Sequence, residues 1–115
     1  MKKTLLGLGL LAILVPAVAS AESPADYEAY ARYEAKVNGV NAEHLVATLR
    51  CESHFNANAI GDGGDSYGLA QIHLPSHPNI SPEQALDGYW AIDWTIQQFY
   101  IGNAKLWSCW KRLYG

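Results

Sequence analysis

Cys51 and Cys109 are the only two cysteines in a chain of 115 residues, and whether they join decides which topologies the chain can adopt. The start of the sequence predicts their compartment. Lys2 and Lys3 form a positive n-region, Leu5 to Val18 an apolar run, and Ala19-Ser20-Ala21 a small-residue cleavage site. Residues 1–21 therefore read as a signal peptide. Residues 22–115 read as one exported domain, secreted or periplasmic. The apolar run is too short for a stable membrane span once the signal is removed; an uncleaved N-terminal anchor is the alternative. An even cysteine count in an oxidising compartment predicts a Cys51–Cys109 disulfide, with two separate thiols as the alternative. The bridge closes a loop of nearly sixty residues, worth roughly 4 kcal/mol in the chain-entropy model. A domain this small has a limited core and gains from such a staple.

Charge narrows the partners. Without Lys2 and Lys3, six basic residues face eleven acidic ones, a net charge of about −5 with histidine neutral. Nucleic-acid binding rests on neutralising phosphates, so this balance argues against it, and against a polybasic membrane surface. A neutral or locally charged substrate fits better.

The exported part predicts short helices around one irregular, hairpin-like insertion, an α+β fold that is predominantly α-helical. Ser23-Pro24 is an N-cap followed by proline at N1. Tyr27, Tyr30, Ala31, Tyr33 and Val37 then recur at helical spacing, and Gly39 stops that helix in the left-handed region. Asn41 caps a second helix whose apolar stripe is Leu45, Val46 and Leu49. Glu52 falls on the same face. Residues 60–65 hold three glycines and two aspartates, suited to a tight turn between two short strands, with Tyr67 to Ile72 as the return strand. Ser81-Pro82-Glu83-Gln84 is a capping box. A further helix covers Tyr89 to Ile101, with Ile92, Ile96 and Phe99 inward and Gly102 as its stop. The tail from Ala104 to Tyr114 predicts a last short helix carrying Trp107, Cys109, Trp110 and Leu113.

Glu52 is the candidate for a chemical role. It lies at the C-terminal end of its helix, where the partial negative charge disfavours an anion. Its face is apolar, so desolvation disfavours the charged form as well. A carboxyl that keeps its proton near neutral pH can act as a general acid, the group that cleavage of a glycosidic bond needs at the leaving oxygen. The alternative is a solvated helix-end residue paired with Arg50 or a neighbour.

The residues that follow Glu52 form an ordered pattern: Glu52-Ser53, then Asn56-Ala57-Asn58-Ala59, Gly61-Asp62-Gly63-Gly64, and Tyr67-Gly68-Leu69-Ala70-Gln71-Ile72. This resembles the lysozyme-like superfamily, and most of all the goose-type lysozymes and soluble lytic transglycosylases. The direct match covers about a quarter of the exported chain. The resemblance implies a lysozyme-like fold with a small β-hairpin forming one wall of the cleft. It implies an enzyme that cleaves the β-1,4 bond after N-acetylmuramic acid in peptidoglycan, by hydrolysis or by transglycosylation. Its partner is the glycan strand; it acts as a monomer, with no cofactor and no metal. Glu52 takes the position of the catalytic acid. Ser53 helps hold the helix end or orient the acid. Tyr67, Gly68, Leu69 and Gln71 fall in the motif lining the cleft floor, where a glycine admits the sugar close to the backbone and an amide both donates to and accepts from it. Asp62 falls where goose-type enzymes carry an acid that positions the attacking water, with Asp65 a less well matched second candidate. Ala70 departs from the methionine of many relatives, His73 from a further acid, and the Tyr-Asn-x-Gly segment of lytic transglycosylases is missing. A lysozyme-like module that binds glycan without cutting it is the alternative function.

Other constellations carry less. Cys51 with His73 or His77 would suggest a thiol peptidase, but Cys51 sits near a helix end and has Cys109 as a partner. His73 and His77 have an H-x3-H spacing, but Pro75 and Pro78 prevent the helix that would align both rings for zinc. Asp62 and Asp65 lack the alternating oxygen ligands of a calcium loop. Trp90, Trp94, Trp107 and Trp110 suit core packing, and spacing puts Trp90 and Trp94 on one face, so one of them can reach a cleft.

Overall fold

A computed structural model describes residues 22–115; the expected signal peptide, residues 1–21, lies outside the described residues. The chain begins with helix α1, Pro24–Val37. Ser23 caps it as expected: its hydroxyl accepts from the Asp26 amide at 3.1 Å, and Asp26 returns the bond to the Ser23 amide at 3.0 Å. The buried face is narrower than the expected stripe. Ala31 and Ala35 are buried and Tyr27 and Tyr30 partly so, while Tyr33 and Val37 face solvent. Two residues beyond Ala31 and Ala35 lie more than half a helical turn away from that face.

Helix α2, Ala42–Ser53, is capped by the Asn41 side chain, which accepts from the His44 amide at 3.0 Å. Its stripe of Leu45, Val46 and Leu49 is fully buried. Two consecutive non-glycine residues then adopt positive φ, His54 at 57° and Phe55 at 60°. The cost of that backbone is offset by burial of the Phe55 ring at 2% exposure.

The insertion departs from the expected hairpin. It is a three-stranded antiparallel sheet of β1 (Ile60–Gly61), β2 (Ser66–Tyr67) and β3 (Ile72–His73), in that order. Ile60 pairs with Tyr67, Ser66 with His73, and Tyr67 with Ile72. The run from Tyr67 to Ile72 is thus two strands and a turn. Gly68 has φ +80° and Gln71 φ +49°, and the Gln71 amide closes the turn on the Gly68 carbonyl at 3.0 Å. The first turn holds the expected glycines because Asp62, Gly63 and Gly64 all have positive φ, between 51° and 103°.

The capping box at Ser81 forms as expected and starts α3, Pro82–Leu86. Helix α4, Gly88–Tyr100, begins one residue earlier than predicted because the Asp87 carboxylate accepts from the Tyr89 and Trp90 amides. The last predicted helix is broken. A 3-10 turn at Ala104–Leu106 is separated from α5, Ser108–Tyr114, by Trp107 in extended conformation. The Trp107 indole is buried and donates to the Ala70 carbonyl at 2.8 Å; reaching it takes that residue out of helical register.

Helix α1 packs on α2 and α4, and α5 packs on α2. Leu45, Leu49, Phe55, Leu69, Ile72 and Ile92 form the centre of the core between helices and sheet. A disulfide joins Cys51 in α2 to Cys109 in α5, with the Cα atoms 6.0 Å apart. No helix among the described residues is long and apolar enough to cross a membrane.

Gly68 tests the turn. A Cβ there would run into the Ala85 carbonyl on α3, and φ is positive. Gly68→Ala is expected to lower unfolding stability by about 3 kcal/mol, from a clash that must move backbone plus the left-handed conformation. Urea denaturation checks this: a shift in midpoint at constant slope is expected, whereas the solvent-facing Gly63→Ala should change stability by no more than its φ strain.

Candidate active site

Glu52 occupies the last turn of α2 and lines a cleft of about 410 Å³. Asp62, Ser66, Gln71 and His73 form the sheet-side wall. Trp94 from α4 and Trp107 and Ser108 from the tail form the other side. A groove of about 460 Å³ between α1 and α4 is of similar size, but it gathers none of the predicted site residues; its Asp93 is engaged by the Tyr30 hydroxyl at 2.8 Å.

The break at Trp107 gives Glu52 its main contact. Because α5 starts at Ser108, the Cys109 amide is free of helix bonding and donates to Glu52 Oε2 at 3.2 Å. Trp107 supplies no side-chain cap of its own. Among the described residues no donor meets Oε1, and no buried side-chain oxygen is left unpaired, so Oε1 is reached by solvent.

Burial pushes the Glu52 carboxyl above the ordinary glutamate range, and the nearby charge of Asp62 adds to the rise. The Cys109 amide and the Arg112 guanidinium oppose it. The expected direction holds and burial is its main source. The helix end that touches the carboxyl, however, is the N-terminus of α5, which favours the anion. Arg112 is held beside the disulfide, its Nη2 2.9 Å from Cys51 Sγ and 3.4 Å from Cys109 Sγ. The same tether therefore fixes the acid and the cation that tempers it.

The other predicted residues divide between cleft and scaffold. Asp62 faces the cleft, with Oδ2 accepting from the Ser66 hydroxyl at 2.5 Å; Asp65 is not part of the lining. Ser53 donates to the Leu69 carbonyl at 2.7 Å, tying the end of α2 to the Gly68–Gln71 turn. Gln71 lines the cleft, but its amide nitrogen donates to the Gly68 and Ala59 carbonyls at 3.0 and 3.3 Å, leaving the amide oxygen as the group open to other partners. Three placements differ from expectation. Gly68 faces the Ala85 carbonyl, so its lack of a side chain serves packing of turn on helix, not approach of a sugar. Leu69 is fully buried in the core. Tyr67 packs against the core and is outside the lining.

The residues missed by sequence are Ser76 and Ser108, and the specific choice of Trp94 and Trp107 among four tryptophans. Trp94 and Trp107 meet edge to face at 5.7 Å, and Trp90 stacks on Trp94 at 6.4 Å. Helical spacing places Trp90 and Trp94 on one face but does not say which borders a cleft. No family model, no curated protein and no solved structure matches the chain.

The raised Glu52 carboxyl has a signed consequence for stability. A carboxyl whose folded pKa exceeds its unfolded value stabilises the fold below the unfolded value, and that contribution disappears as pH rises through the folded pKa. Glu52→Gln keeps the neutral form at every pH. Its melting temperature relative to the parent should therefore rise as pH climbs from below 4.5 through the folded Glu52 pKa. Thermal melts at a series of pH values check this; a flat difference counts against a raised pKa.

Proposed function

We propose that the protein is a peptidoglycan-cleaving glycosidase of lysozyme-like fold, with Glu52 as general acid. The observation that carries this reading is the Glu52 carboxyl itself: half-buried, fixed through one oxygen by the Cys109 amide, and raised in pKa inside an open cleft. A general acid must hold its proton until the glycosidic oxygen arrives and must tolerate the negative charge once the proton has gone. Burial serves the first need. The Cys109 amide and Arg112 serve the second, because both favour the carboxylate.

In this mechanism Oε1 delivers the proton to the leaving oxygen as the bond to the anomeric carbon breaks. The partly exposed Trp94 ring offers an apolar face to sugars, and the Gln71 oxygen and Ser108 hydroxyl offer polar contacts. Asp62 accounts for hydrolysis: with Oδ2 engaged by Ser66, its other oxygen can hold a water on the opposite side of the sugar, giving inversion. In transglycosylation the sugar's own 6-hydroxyl attacks and Glu52 takes up that proton, closing a 1,6-anhydro ring without Asp62.

Glu52→Gln preserves shape and removes the proton donor. Its rate on cell-wall suspensions should fall by about 10²-fold or more, measured as turbidity loss with purified, folded protein. A parental rate in this variant would sink the assignment. Glycan binding by both proteins with no released fragments from either would favour a non-catalytic binding module. Mass spectrometry of the digest separates the two reactions: reducing ends that disappear in Asp62→Asn indicate hydrolysis through Asp62, and 1,6-anhydro ends indicate transglycosylation.

A further inference from the structure

The H-x3-H segment that follows the Gln71 turn has no part in the mechanism above, yet both histidines line the same cleft as Glu52. His73 ends β3 and His77 follows the 3-10 turn Leu74–Ser76. Proline at position 75 fixes φ in that turn. The His77 amide closes it on the Leu74 carbonyl at 2.9 Å, and the Leu74 amide anchors it to the Asp65 carbonyl at 3.0 Å. Each side chain has one neighbour that places it. His73 Nδ1 lies 2.9 Å from Ser76 Oγ, and the His77 ring stands edge-on to Trp94 at 5.1 Å.

Among the described residues no protein group hydrogen-bonds Nε2 of His73 or either nitrogen of His77, and none of these atoms is buried without a partner. The free ring nitrogens therefore open to water or to a ligand. The two rings are also the only basic groups in the lining; its other ionisable side chains are Glu52 and Asp62. Register places His73 beside Ser66, whose hydroxyl holds Asp62. His73 thus neighbours Ser66 across the ladder and Ser76 through its ring, while Asp62 bonds Ser66.

We propose that His73, Ser76 and His77 form a carboxylate-reading subsite of this cleft, resting on the glycosidase reading above. Imidazole N–H groups and a hydroxyl donate to a carboxylate. A glycan carboxylate is repelled by Asp62 and drawn to this end, which fixes the direction and register of the strand relative to Glu52. In peptidoglycan such a group has two sources: the lactyl group of bare muramic acid, or the acidic stem peptide attached to it. A neutral glycan offers neither.

The test uses three ligands: chitohexaose, which is neutral; peptide-free strands of alternating N-acetylglucosamine and N-acetylmuramic acid; and the same strands bearing stem peptides. Dissociation constants are measured by calorimetry in the Glu52→Gln background, and KM and kcat in the parent background. His73→Gln and His77→Gln are each expected to weaken a carboxylate-bearing strand about tenfold, in Kd and KM, with kcat kept. Chitohexaose binding should stay within about twofold of the unsubstituted protein. Loss confined to the peptide-free strand identifies the lactyl group, and loss confined to the peptidated strand identifies the peptide. Equal weakening on chitohexaose, or none on either carboxylate-bearing strand, overturns the subsite. The two readings fail separately: parental lytic activity in Glu52→Gln removes the acid, while the ratio of dissociation constants decides the subsite whether or not cleavage occurs.

Discussion

The hydrogen bond from the Cys109 amide to Glu52 is the contact on which the rest of the cleft depends. It joins residues 57 positions apart in the chain, and it needs three things at once. Helix α2 must end where it does, α5 must begin where it does, and the two must be held together. The disulfide supplies the last of these one residue away on the α2 side, with Cys109 itself on the other. A carboxylate in the last turn of a helix is repelled by that helix's own carbonyls; facing it to the first amides of another helix compensates. Burial then sets the balance in favour of the proton.

Trp107 is the second fixed point. By leaving helical conformation it ends the 3-10 turn, opens the first turn of α5 and sends its indole to the Ala70 carbonyl. One side chain therefore bonds the floor of the sheet, lines the cleft and creates the free amide that meets Glu52. Ser53, on the α2 side, bonds the adjacent Leu69 carbonyl. The Gly68–Gln71 turn is thus clamped at neighbouring carbonyls, by Ser53 at the end of α2 and by Trp107 just before α5. That explains why Leu69 and Gly68 belong to the scaffold although they lie within the motif that points to the cleft.

Much of this was legible in the sequence, and the divisions are physical. Caps at Ser23, Asn41 and Ser81, the stripe of α2, and the pairing of Cys51 with Cys109 depend on local chemistry or on cysteine count, and both can be read along the chain. The direction of the Glu52 shift was legible too, since burial follows from periodicity. The third strand was not, because Gln71 adopts positive φ without being glycine. Nor was the break at Trp107, where a contact with Ala70, 37 residues away, overrides helical spacing. Gln71 shows the same limit: type and position suggest a ligand contact, while its nitrogen is held by two backbone carbonyls that only the folded turn brings near.

The separation between Cys51 and Cys109 carries a consequence for how the molecule reaches its working state. Caps, turns and two-residue strands join neighbours in sequence and close small loops. The α2–α5 contact closes a span of 58 residues, and its entropy cost is met only after intervening elements have collapsed. Until α5 docks, Glu52 has neither the Cys109 amide nor Arg112 beside it. Local caps and turns can therefore be complete in a chain whose carboxyl still lacks the setting given by the span between Cys51 and Cys109.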